Sequence, residues 1–374
     1  MPFRVLVVDD SNFFQHRLKD IINEHPDLKV IGIASNGREA VEKAAELKPD
    51  IITMDFEMPV MDGVTAIKLI MANRKVPILM FSSLTYEGAK VTLDALAAGA
   101  LDFIPKDFAE VSRSADSLKK KLHERLITLA GASTRAIAPI ADTKPAIAPA
   151  TRASVSVAPS PARAPTGTAQ DESTKSTGSD NYRLKKIPKL LVIGASTGGP
   201  VALAEVLITL PVNFPLPIVL VQHMPENFTK AFAERLNKQC SIRVREAVDG
   251  DQLQPGLALL APGGKQLMLD KRNGGSVRVL PDDERVNYKP SLDITFGSAA
   301  NIYGDKVLGV VLTGMGSDGC NGARMLKEAG SALWSQDEAS CVIYGMPMAV
   351  ARAGLTDKVL SLKEIGPRLV REVM

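Results

Sequence analysis

A stretch without aromatic residues divides this chain of 374 residues into two parts. Residues 109–181 contain no Phe, Tyr or Trp, and within that range residues 131–180 hold twelve Ala, six Pro and fourteen Ser or Thr. Such a composition buries too little apolar surface to offset the conformational entropy that is lost on folding. We therefore expect a linker at 125–186, flexible from about 131, between domains at 1–124 and 187–374.

The overall composition is that of an ordinary globular protein, with 45% hydrophobic and 23% charged residues. A formal net charge of +3 gives no argument for a nucleic-acid partner or a basic membrane-binding patch. No apolar run is long enough for a transmembrane helix, and the N-terminus lacks the features of a signal peptide. Cys240, Cys320 and Cys341 match neither a disulfide framework nor a zinc-site spacing. We therefore expect a cytoplasmic protein that neither binds nucleic acid nor inserts into membranes.

The first domain alternates short apolar runs with stretches of helical periodicity. The apolar runs predict buried strands, and the stretches between them, such as 12–24 and 37–47, have the spacing of amphipathic helices. This alternation predicts an α/β domain, doubly wound and flavodoxin-like, with five parallel strands. The predicted strands are 3–8, 28–34, 50–54, 76–81 and 102–104.

The second domain repeats the alternation, which predicts another α/β domain with a mostly parallel sheet. Between about 241 and 281, short apolar runs lie between Gly, Pro and Asn residues, and this pattern predicts an inserted hairpin region. The predicted strands are 190–193, 217–221 and 307–312, and the predicted helices are 201–210, 228–238, 292–302, 318–329 and 362–370.

Several polar residues of the first domain follow directly after predicted strands. Asp9 and Asp10 follow the first strand, Asp55 the third, Ser82 the fourth and Lys106 the fifth. In open α/β sheets, ligands bind at this carboxyl edge, and clustered carboxylates repel each other unless a cation such as Mg²⁺ joins them. The pattern predicts phosphoryl transfer to Asp55, with Lys106 and Ser82 contacting the phosphoryl oxygens. The alternative is that these residues only cap helices and turns.

These residues resemble the receiver domain of bacterial two-component response regulators. The resemblance rests on 7–11, on the run 55–63 (Asp-Phe-Glu-Met-Pro-Val-Met-Asp-Gly), on Ser82-Ser83 and on Lys106. It implies that Asp55 is the phosphoacceptor. It also implies that Mg²⁺ is held by Asp9, Asp10, Asp55 and the backbone carbonyl of Glu57.

Two further positions bear on the resemblance. Phe103 falls at the aromatic switch position of the family, and an ordinary core aromatic is the alternative interpretation. Asp107 stands after Lys106 where the family usually has Pro, and this departure concerns the local turn rather than the role of the lysine.

A glycine-rich motif follows the first predicted strand of the second domain. Residues 194–200 read Gly-Ala-Ser-Thr-Gly-Gly-Pro and precede a predicted helix. The glycines permit a tight turn that presents Ser196, and N–H groups at a helix start can stabilise an oxyanion. A phosphate-binding P-loop would need Gly-Lys-Ser or Gly-Lys-Thr, and a dinucleotide site would need G-x-G-x-x-G; both are absent from this motif.

A serine nucleophile needs a base, and His223 is the only histidine in the C-terminal half of the sequence. It follows the predicted strand 217–221, and Asp318 lies in a glycine-rich turn after the strand 307–312. Asp318 is the best candidate for the carboxylate that orients the base. A structural histidine and an aspartate that only caps a helix are the alternatives. The chain order Ser196, His223, Asp318 differs from the orders in α/β-hydrolases, chymotrypsin and subtilisin, so a different scaffold is expected.

These motifs resemble the catalytic domain of the bacterial chemotaxis protein-glutamate methylesterases, the CheB family, as does the order of receiver, linker and esterase. The resemblance implies a triad of Ser196, His223 and Asp318, with backbone oxyanion contacts at Thr197 and Met315 and no cofactor in the esterase domain. It implies hydrolysis of glutamate γ-methyl esters on chemoreceptors, and in some members deamidation of receptor glutamines. A chemotaxis histidine kinase would donate the phosphoryl group, and the unphosphorylated receiver would cover the active-site cleft.

Three other functions are considered. A DNA-binding response regulator would usually carry a compact helical output module, whereas this output region spans about 190 residues with α/β patterning. A catalytically inactive interaction protein on the same fold would lose Ser, His or Asp, whereas all three are present. A methylesterase that serves a non-chemotaxis signalling array stays open as an alternative.

Overall fold

The computed structural model describes residues 1–106, 116–132, 183–271, 275–281 and 287–374. The described residues before 133 and those after 183 belong to one compact unit. Most of the expected linker at 125–186 lies outside the described residues, as does Asp107. The helix Asp116–Gly131 runs across the expected boundary at 124, and the three domain ranges stay predictions.

The N-terminal domain is built around a five-stranded parallel sheet with the strand order β2-β1-β3-β4-β5. The central strands β3 and β4 are buried along their whole length, as expected for parallel strands that are covered on both faces. This topology confirms the doubly wound, flavodoxin-like fold. The strands are β1 (Phe3–Val8), β2 (Leu28–Ala34), β3 (Ile51–Asp55), β4 (Ile78–Ser82) and β5 (Asp102–Pro105), and the helices are α1 (Asn12–Asn23), α2 (Gly37–Leu47), α3 (Gly63–Asn73), α4 (Tyr86–Ala97) and α5 (Asp116–Gly131).

The C-terminal domain has a seven-stranded parallel sheet with the order β14-β13-β12-β6-β7-β9-β8, which confirms its predicted class. No helix within the described ranges is long and apolar enough to span a membrane. The strands are β6 (Leu190–Ala195), β7 (Ile218–Gln222), β8 (Arg243–Glu246), β9 (Leu257–Leu260), β10 (Gln266–Asp270), β11 (Ser276–Leu280), β12 (Val307–Val311), β13 (Ala332–Gln336) and β14 (Lys358–Leu360). The helices are α6 (Gly199–Leu207), α7 (Glu226–Gln239), α8 (Leu292–Tyr303), α9 (Cys320–Glu328), α10 (Met346–Arg352) and α11 (Leu362–Val373), with a short 3₁₀ turn at Gly304–Lys306.

The inserted hairpin region is smaller than the sequence predicts. Strands β10 and β11 form one antiparallel hairpin, whereas β8 and β9 belong to the main parallel sheet. The physical reason is burial: β9 is apolar and buried at every position, which suits a parallel strand inside an α/β layer. The Gly and Pro residues on either side of β9 are typical of hairpin turns, which is why the sequence pattern predicts a larger hairpin region.

The three central strands of the C-terminal sheet bring the candidate site residues to one edge. Strand β6 lies between β7 and β12, and the register pairs Ala195 with Gln222 and Gly194 with Val311. The residues that follow these strands are therefore neighbours at the carboxyl edge of the sheet. A side chain at Gly194 would place its Cβ 2.1 Å from Leu292 Cδ2, so this glycine lets the start of α8 lie against β6.

Candidate active site and phosphoacceptor site

Ser196 and His223 follow directly after two neighbouring strands. The backbone N–H of His223 donates to the carbonyl of Ala195 at 3.2 Å, and Ser196 N–H donates to the carbonyl of Thr313 at 3.0 Å. The side-chain amide of Gln222 donates to the carbonyl oxygens of both Ser196, at 2.9 Å, and His223, at 3.2 Å. The structure thus brings together two strand ends that the sequence places 27 positions apart.

Asp318 joins this pair through His223. Its Oδ2 lies 2.7 Å from His223 Nε2, and the aspartate is only 6% exposed. The carboxylate also accepts hydrogen bonds from Ser291 Oγ at 2.8 Å, Leu292 N–H at 2.7 Å and Asp293 N–H at 3.1 Å. Burial opposes the charge on Asp318, but the hydrogen bonds from His223 and from the backbone N–H groups at the start of α8 outweigh it. The pKa of Asp318 therefore lies below the ordinary Asp value.

An ionised Asp318 decides which nitrogen of His223 carries the proton. A carboxylate only accepts, so Nε2 donates to it and Nδ1 keeps a lone pair. Nδ1 is buried and has no hydrogen-bond partner among the residues that the structure describes, Ser196 Oγ included. Catalytic hydrogen bonds are often long in free enzymes and shorten when the substrate binds. The nitrogen available to a neighbouring hydroxyl is therefore Nδ1.

Thr197 and Met315 lie on adjacent loops beside Ser196. The carbonyl of Thr197 accepts a hydrogen bond from Thr313 Oγ1 at 3.0 Å, which ties the loop after β6 to the loop that carries Met315. In the described part of the chain, the backbone N–H groups of Thr197 and Met315 donate no hydrogen bond. Two such donors beside a nucleophile are what an oxyanion site requires.

Three carboxylates cluster in the N-terminal domain. One oxygen from each of Asp9, Asp10 and Asp55 lies within 4.8 Å of the others. Lys106 Nζ lies 2.8 Å from Asp55 Oδ2 and 2.9 Å from Asp9 Oδ2. Burial raises the pKa of Asp55 to about 6, against the opposing hydrogen bond from Lys106.

This cluster fits a magnesium ion. Lys106 Nζ, 2.9 Å from the buried Asp9 Oδ2, supplies one positive charge beside three carboxylates. A bound cation would balance the remaining negative charge, and an all-oxygen donor set is the type that Mg²⁺ prefers.

The structure of the loop after β3 shows what the residues of the receiver motif do. Asp62 caps α3 by accepting a hydrogen bond from Thr65 N–H at 2.9 Å. A Cβ at Gly63 would lie 2.3 Å from the carbonyl oxygen of Asp55, so only glycine fits there. Glu57 lies in this loop with its side chain exposed.

Ser82 lies at the end of β4, and its hydroxyl bonds to α4. It accepts a hydrogen bond from Thr92 Oγ1 at 2.5 Å, and it lies 3.3 Å from the carbonyl of Gly88. The backbone N–H of Lys106 donates to the carbonyl of Ser82 at 2.6 Å, which joins the ends of β4 and β5. The hydroxyl of Ser82 is therefore engaged by α4 in this structure.

Two residues of β5 contact the C-terminal domain. The ring of Phe103 stacks on Phe228 of α7, with centroids 4.6 Å apart and an interplanar angle of 5°. Thr197 Oγ1 donates a buried hydrogen bond to Asp102 Oδ2 at 2.7 Å, and Asp102 is also paired with Arg125. The N-terminal domain therefore contacts the residue next to Ser196.

Helix α4 extends this interface along α7. The carbonyl of Leu84 accepts a hydrogen bond from Asn227 Nδ2 at 2.8 Å. Tyr86 is hydrogen-bonded to Glu234, and Asp94 is paired with Arg235. This arrangement is typical of a response regulator whose receiver packs on a hydrolase output domain.

Comparison with known proteins supports this class. The sequence profile of the CheB methylesterase family matches residues 191–369, and that of the response regulator receiver domain matches residues 5–115. A protein of Saccharophagus degradans named "Protein-glutamate methylesterase/protein-glutamine glutaminase 1" is 54% identical, covering 100% of both chains. A group 1 operon protein of Pseudomonas putida with the same type of name is 57% identical, covering 99% of both chains.

The catalytic domain of the Thermotoga maritima CheB methylesterase, a solved structure, is 42% identical and covers 49% of this chain and 98% of that chain, with a TM-score of 0.48. The chain belongs to the family of CheB methylesterases that carry an N-terminal receiver domain.

Three residues of the site were not found from the sequence. Gln222 stands at a strand end immediately before His223, and that position is a usable signal. No sequence pattern marks Ser291 or Asp102, because each contacts a partner that is remote in the sequence. Ser291 bonds to Asp318, and Asp102 bonds to Thr197.

We predict that Asp318→Asn lowers the free energy of unfolding at pH 7 by about 1.5–3 kcal/mol, because a charged acceptor of several hydrogen bonds is lost. The pKa of Asp318 is lowered in the folded state, so its contribution is present above the ordinary Asp pKa of 3.8 and lost as the pH falls through the folded value. Urea unfolding at pH 7, 5 and 3.5 should therefore show the gap between parent and variant narrowing at the lowest pH. A gap that is the same at all three pH values would contradict an ionised Asp318.

Proposed function

We propose that Ser196, His223 and Asp318 catalyse the hydrolysis of glutamate γ-methyl esters on methyl-accepting chemoreceptors. At receptor glutamines the same residues hydrolyse the side-chain amide. The relatives named protein-glutamate methylesterase and protein-glutamine glutaminase support both reactions. The observation that carries the assignment is the 2.7 Å contact between His223 and Asp318 at the strand end beside Ser196.

The first half of the reaction forms an acyl-enzyme. Ser196 Oγ attacks the side-chain carbonyl carbon while its proton passes to His223 Nδ1. The negative charge that develops on the carbonyl oxygen is stabilised by the backbone N–H groups of Thr197 and Met315. Asp318 holds the imidazole in the Nε2–H tautomer and stabilises the imidazolium.

The second half releases the products. The imidazolium of His223 gives its proton to the leaving group, so methanol departs from an ester and ammonia from an amide. Water then attacks the ester on Ser196, with His223 as the base, and a free glutamate side chain is released. The chemistry of the two substrates differs only in the leaving group.

We predict that Ser196→Ala lowers methanol release from methyl-labelled receptor membranes by at least about a thousandfold, because no other oxygen replaces the nucleophile. The fold should be unaffected, since the change removes one oxygen. Ser241→Ala, at an exposed serine before β8, is the matched control and should keep the parent rate. Near-normal methanol release by Ser196→Ala would show that the nucleophile lies elsewhere.

We infer that Asp55 accepts a phosphoryl group from a chemotaxis histidine kinase. Asp9, Asp10, Asp55 and the backbone carbonyl of Glu57 would hold Mg²⁺, which when bound neutralises charge on the transferred group. Lys106 Nζ, 2.8 Å from Asp55 Oδ2, is placed to pair with the phosphoryl oxygens. The hydroxyl of Ser82 would reach them by donating to the phosphoryl group instead of to the carbonyl oxygen of Gly88.

We predict that Asp55→Asn abolishes Mg²⁺-dependent labelling by acetyl phosphate, because an amide does not act as this nucleophile. Asp62→Asn changes the other aspartate of the motif and should keep the labelling, since asparagine also caps a helix. The measurement is the phosphoryl content of the intact protein by mass spectrometry. Labelling of Asp55→Asn at the parent stoichiometry would move the acceptor elsewhere, with Asp10 the first residue to test.

The receiver inhibits the esterase when Asp55 is unphosphorylated. Thr197, the residue after the proposed nucleophile, donates a buried hydrogen bond to Asp102, and Ser196 itself is only 9% exposed. In this mechanism, a receptor helix reaches Ser196 only when the two domains separate. Asp102 and Phe103 belong to the same short strand that ends next to Lys106. A phosphoryl group on Asp55 attracts the ammonium group of Lys106, and the resulting movement of β5 displaces Asp102 and Phe103 at the interface. Phosphorylation thereby shifts the equilibrium from the closed to the open arrangement of the two domains.

We predict that Phe103→Ala raises the rate of the unphosphorylated full-length enzyme by about threefold to thirtyfold, because the stack on Phe228 and its buried area stabilise the closed state. The rate after treatment with acetyl phosphate should change little. Phe13→Ala removes an exposed phenylalanine of the same domain and serves as the control. If Phe103→Ala left the ratio of the two rates at the parent value, the inhibitory contact would lie elsewhere.

A further inference from the structure

Tyr288 lies against the ring of His223. The two rings are stacked, with centroids 4.4 Å apart and an interplanar angle of 11°. Tyr288 is 37% exposed, whereas the side chain of His223 is 10% exposed, so the phenol ring shields one face of the imidazole from solvent. The steps proposed for Ser196, His223 and Asp318 make no use of this tyrosine.

The backbone at Tyr288 and Ser291 is held by Gln266 of the hairpin strand β10. The side-chain Nε2 of Gln266 donates to the carbonyl of Tyr288 at 2.7 Å, and its Oε1 accepts from the backbone N–H of Ser291 at 2.9 Å. Ser291 in turn donates to Asp318 through its hydroxyl at 2.8 Å. One buried amide therefore anchors both the residue that stacks on His223 and a residue that holds Asp318.

The far end of Tyr288 rests on the loop of the candidate acid. Gly316 has a φ of +84°, and a Cβ at this position would lie 2.7 Å from Tyr288 Oη. Tyr288 also lines a cavity of about 530 Å³ beside Asp318, together with Asp293, Asn321 and Met325. The tyrosine thus spans from His223 to the loop that contains Met315.

The two contacts of His223 restrain its ring in different directions. The bond to Asp318 lies in the plane of the ring and holds one nitrogen, Nε2. Nδ1 has no hydrogen-bond partner in the described part of the chain, so hydrogen bonding alone does not set the tilt of the ring. A stacked neighbour acts perpendicular to the plane and restricts that tilt. An aromatic face also attracts a cation, so it favours the imidazolium over the neutral ring.

We propose that Tyr288 is a positioning residue, whose aromatic face keeps the His223 ring in register with Ser196 and stabilises the imidazolium formed during acyl transfer. This inference rests on the proposed role of His223 as the base. Because the ring acts on a group that becomes charged in the transition state, its loss should lower kcat and leave KM largely unchanged.

The test compares Tyr288→Phe with Tyr288→Leu in the full-length protein after treatment with acetyl phosphate and Mg²⁺. Methanol release from methyl-labelled receptor membranes gives kcat and KM. Tyr288→Phe keeps the aromatic face and should stay within about twofold of the parent in both constants. Tyr288→Leu removes the face and should lower kcat by about threefold to twelvefold, as expected for an aromatic pair. Tyr288→Gln is a second non-aromatic variant, used if the leucine variant does not fold.

An NMR measurement tests directly whether the ring of Tyr288 stacks on His223 in solution. The stacked ring should shift the imidazole proton signals of His223 upfield in NMR spectra, and His223→Gln would assign those signals among the four histidines of the chain. The upfield shift should persist in Tyr288→Phe and disappear in Tyr288→Leu.

Four outcomes would overturn the inference. An equal loss of kcat in Tyr288→Phe and Tyr288→Leu would show that the hydroxyl group, and not the aromatic face, contributes to catalysis. A raised KM at constant kcat in the leucine variant would make Tyr288 a wall for the substrate. An unchanged kcat in Tyr288→Leu, with His223→Gln inactive, would reject the positioning role and leave the proposed function intact. Full activity of His223→Gln would instead reject the proposed base, and this inference with it.

Discussion

The buried carboxylate of Asp318 links segments of the C-terminal domain that are remote in the sequence. It accepts hydrogen bonds from His223, from Ser291 and from two backbone N–H groups at the start of α8. A buried charge is tolerated only when it is paired and hydrogen-bonded, so these partners must be in place before the domain is stable. The same bonds favour the Nε2–H tautomer of His223, so one group contributes both to the stability of the fold and to the tautomer of the proposed base.

The sequence predicts the central strands and their terminal residues because parallel strands that are buried on both faces appear as uninterrupted apolar runs. Strands β6, β7 and β12 show this pattern, and Ser196, His223 and Asp318 follow it closely. Strands β13 and β14 lack this pattern. In β13, Ser335 and Gln336 are fully buried, and these polar residues interrupt the apolar run that would otherwise predict a core strand. The stack of Tyr288 on His223 could not be predicted, because it depends on an anchor, Gln266, that lies in another element.

Strand β5 is short, and this shortness matters for signalling. Three residues separate Asp102, beside Thr197, from Lys106, which lies 2.8 Å from the proposed phosphoacceptor Asp55. In the proposed mechanism, a displacement of Lys106 would therefore reach Asp102 through a short run of strand rather than through a loop. The interface combines one aromatic stack with polar pairs such as Asn227 with Leu84, a composition suited to a contact that forms and dissociates.

The pairing of Ala195 with Gln222 has a consequence for the evolution of serine hydrolases. The proposed nucleophile and base follow strands that are joined by one helical crossover, and the proposed acid follows the strand on the other side. A circular permutation that opened the chain between β7 and β12 would change the linear order to acid, nucleophile, base without moving any of the three side chains. The order of a triad along a polypeptide therefore records how strands are connected, whereas its chemistry depends only on which strand ends are neighbours.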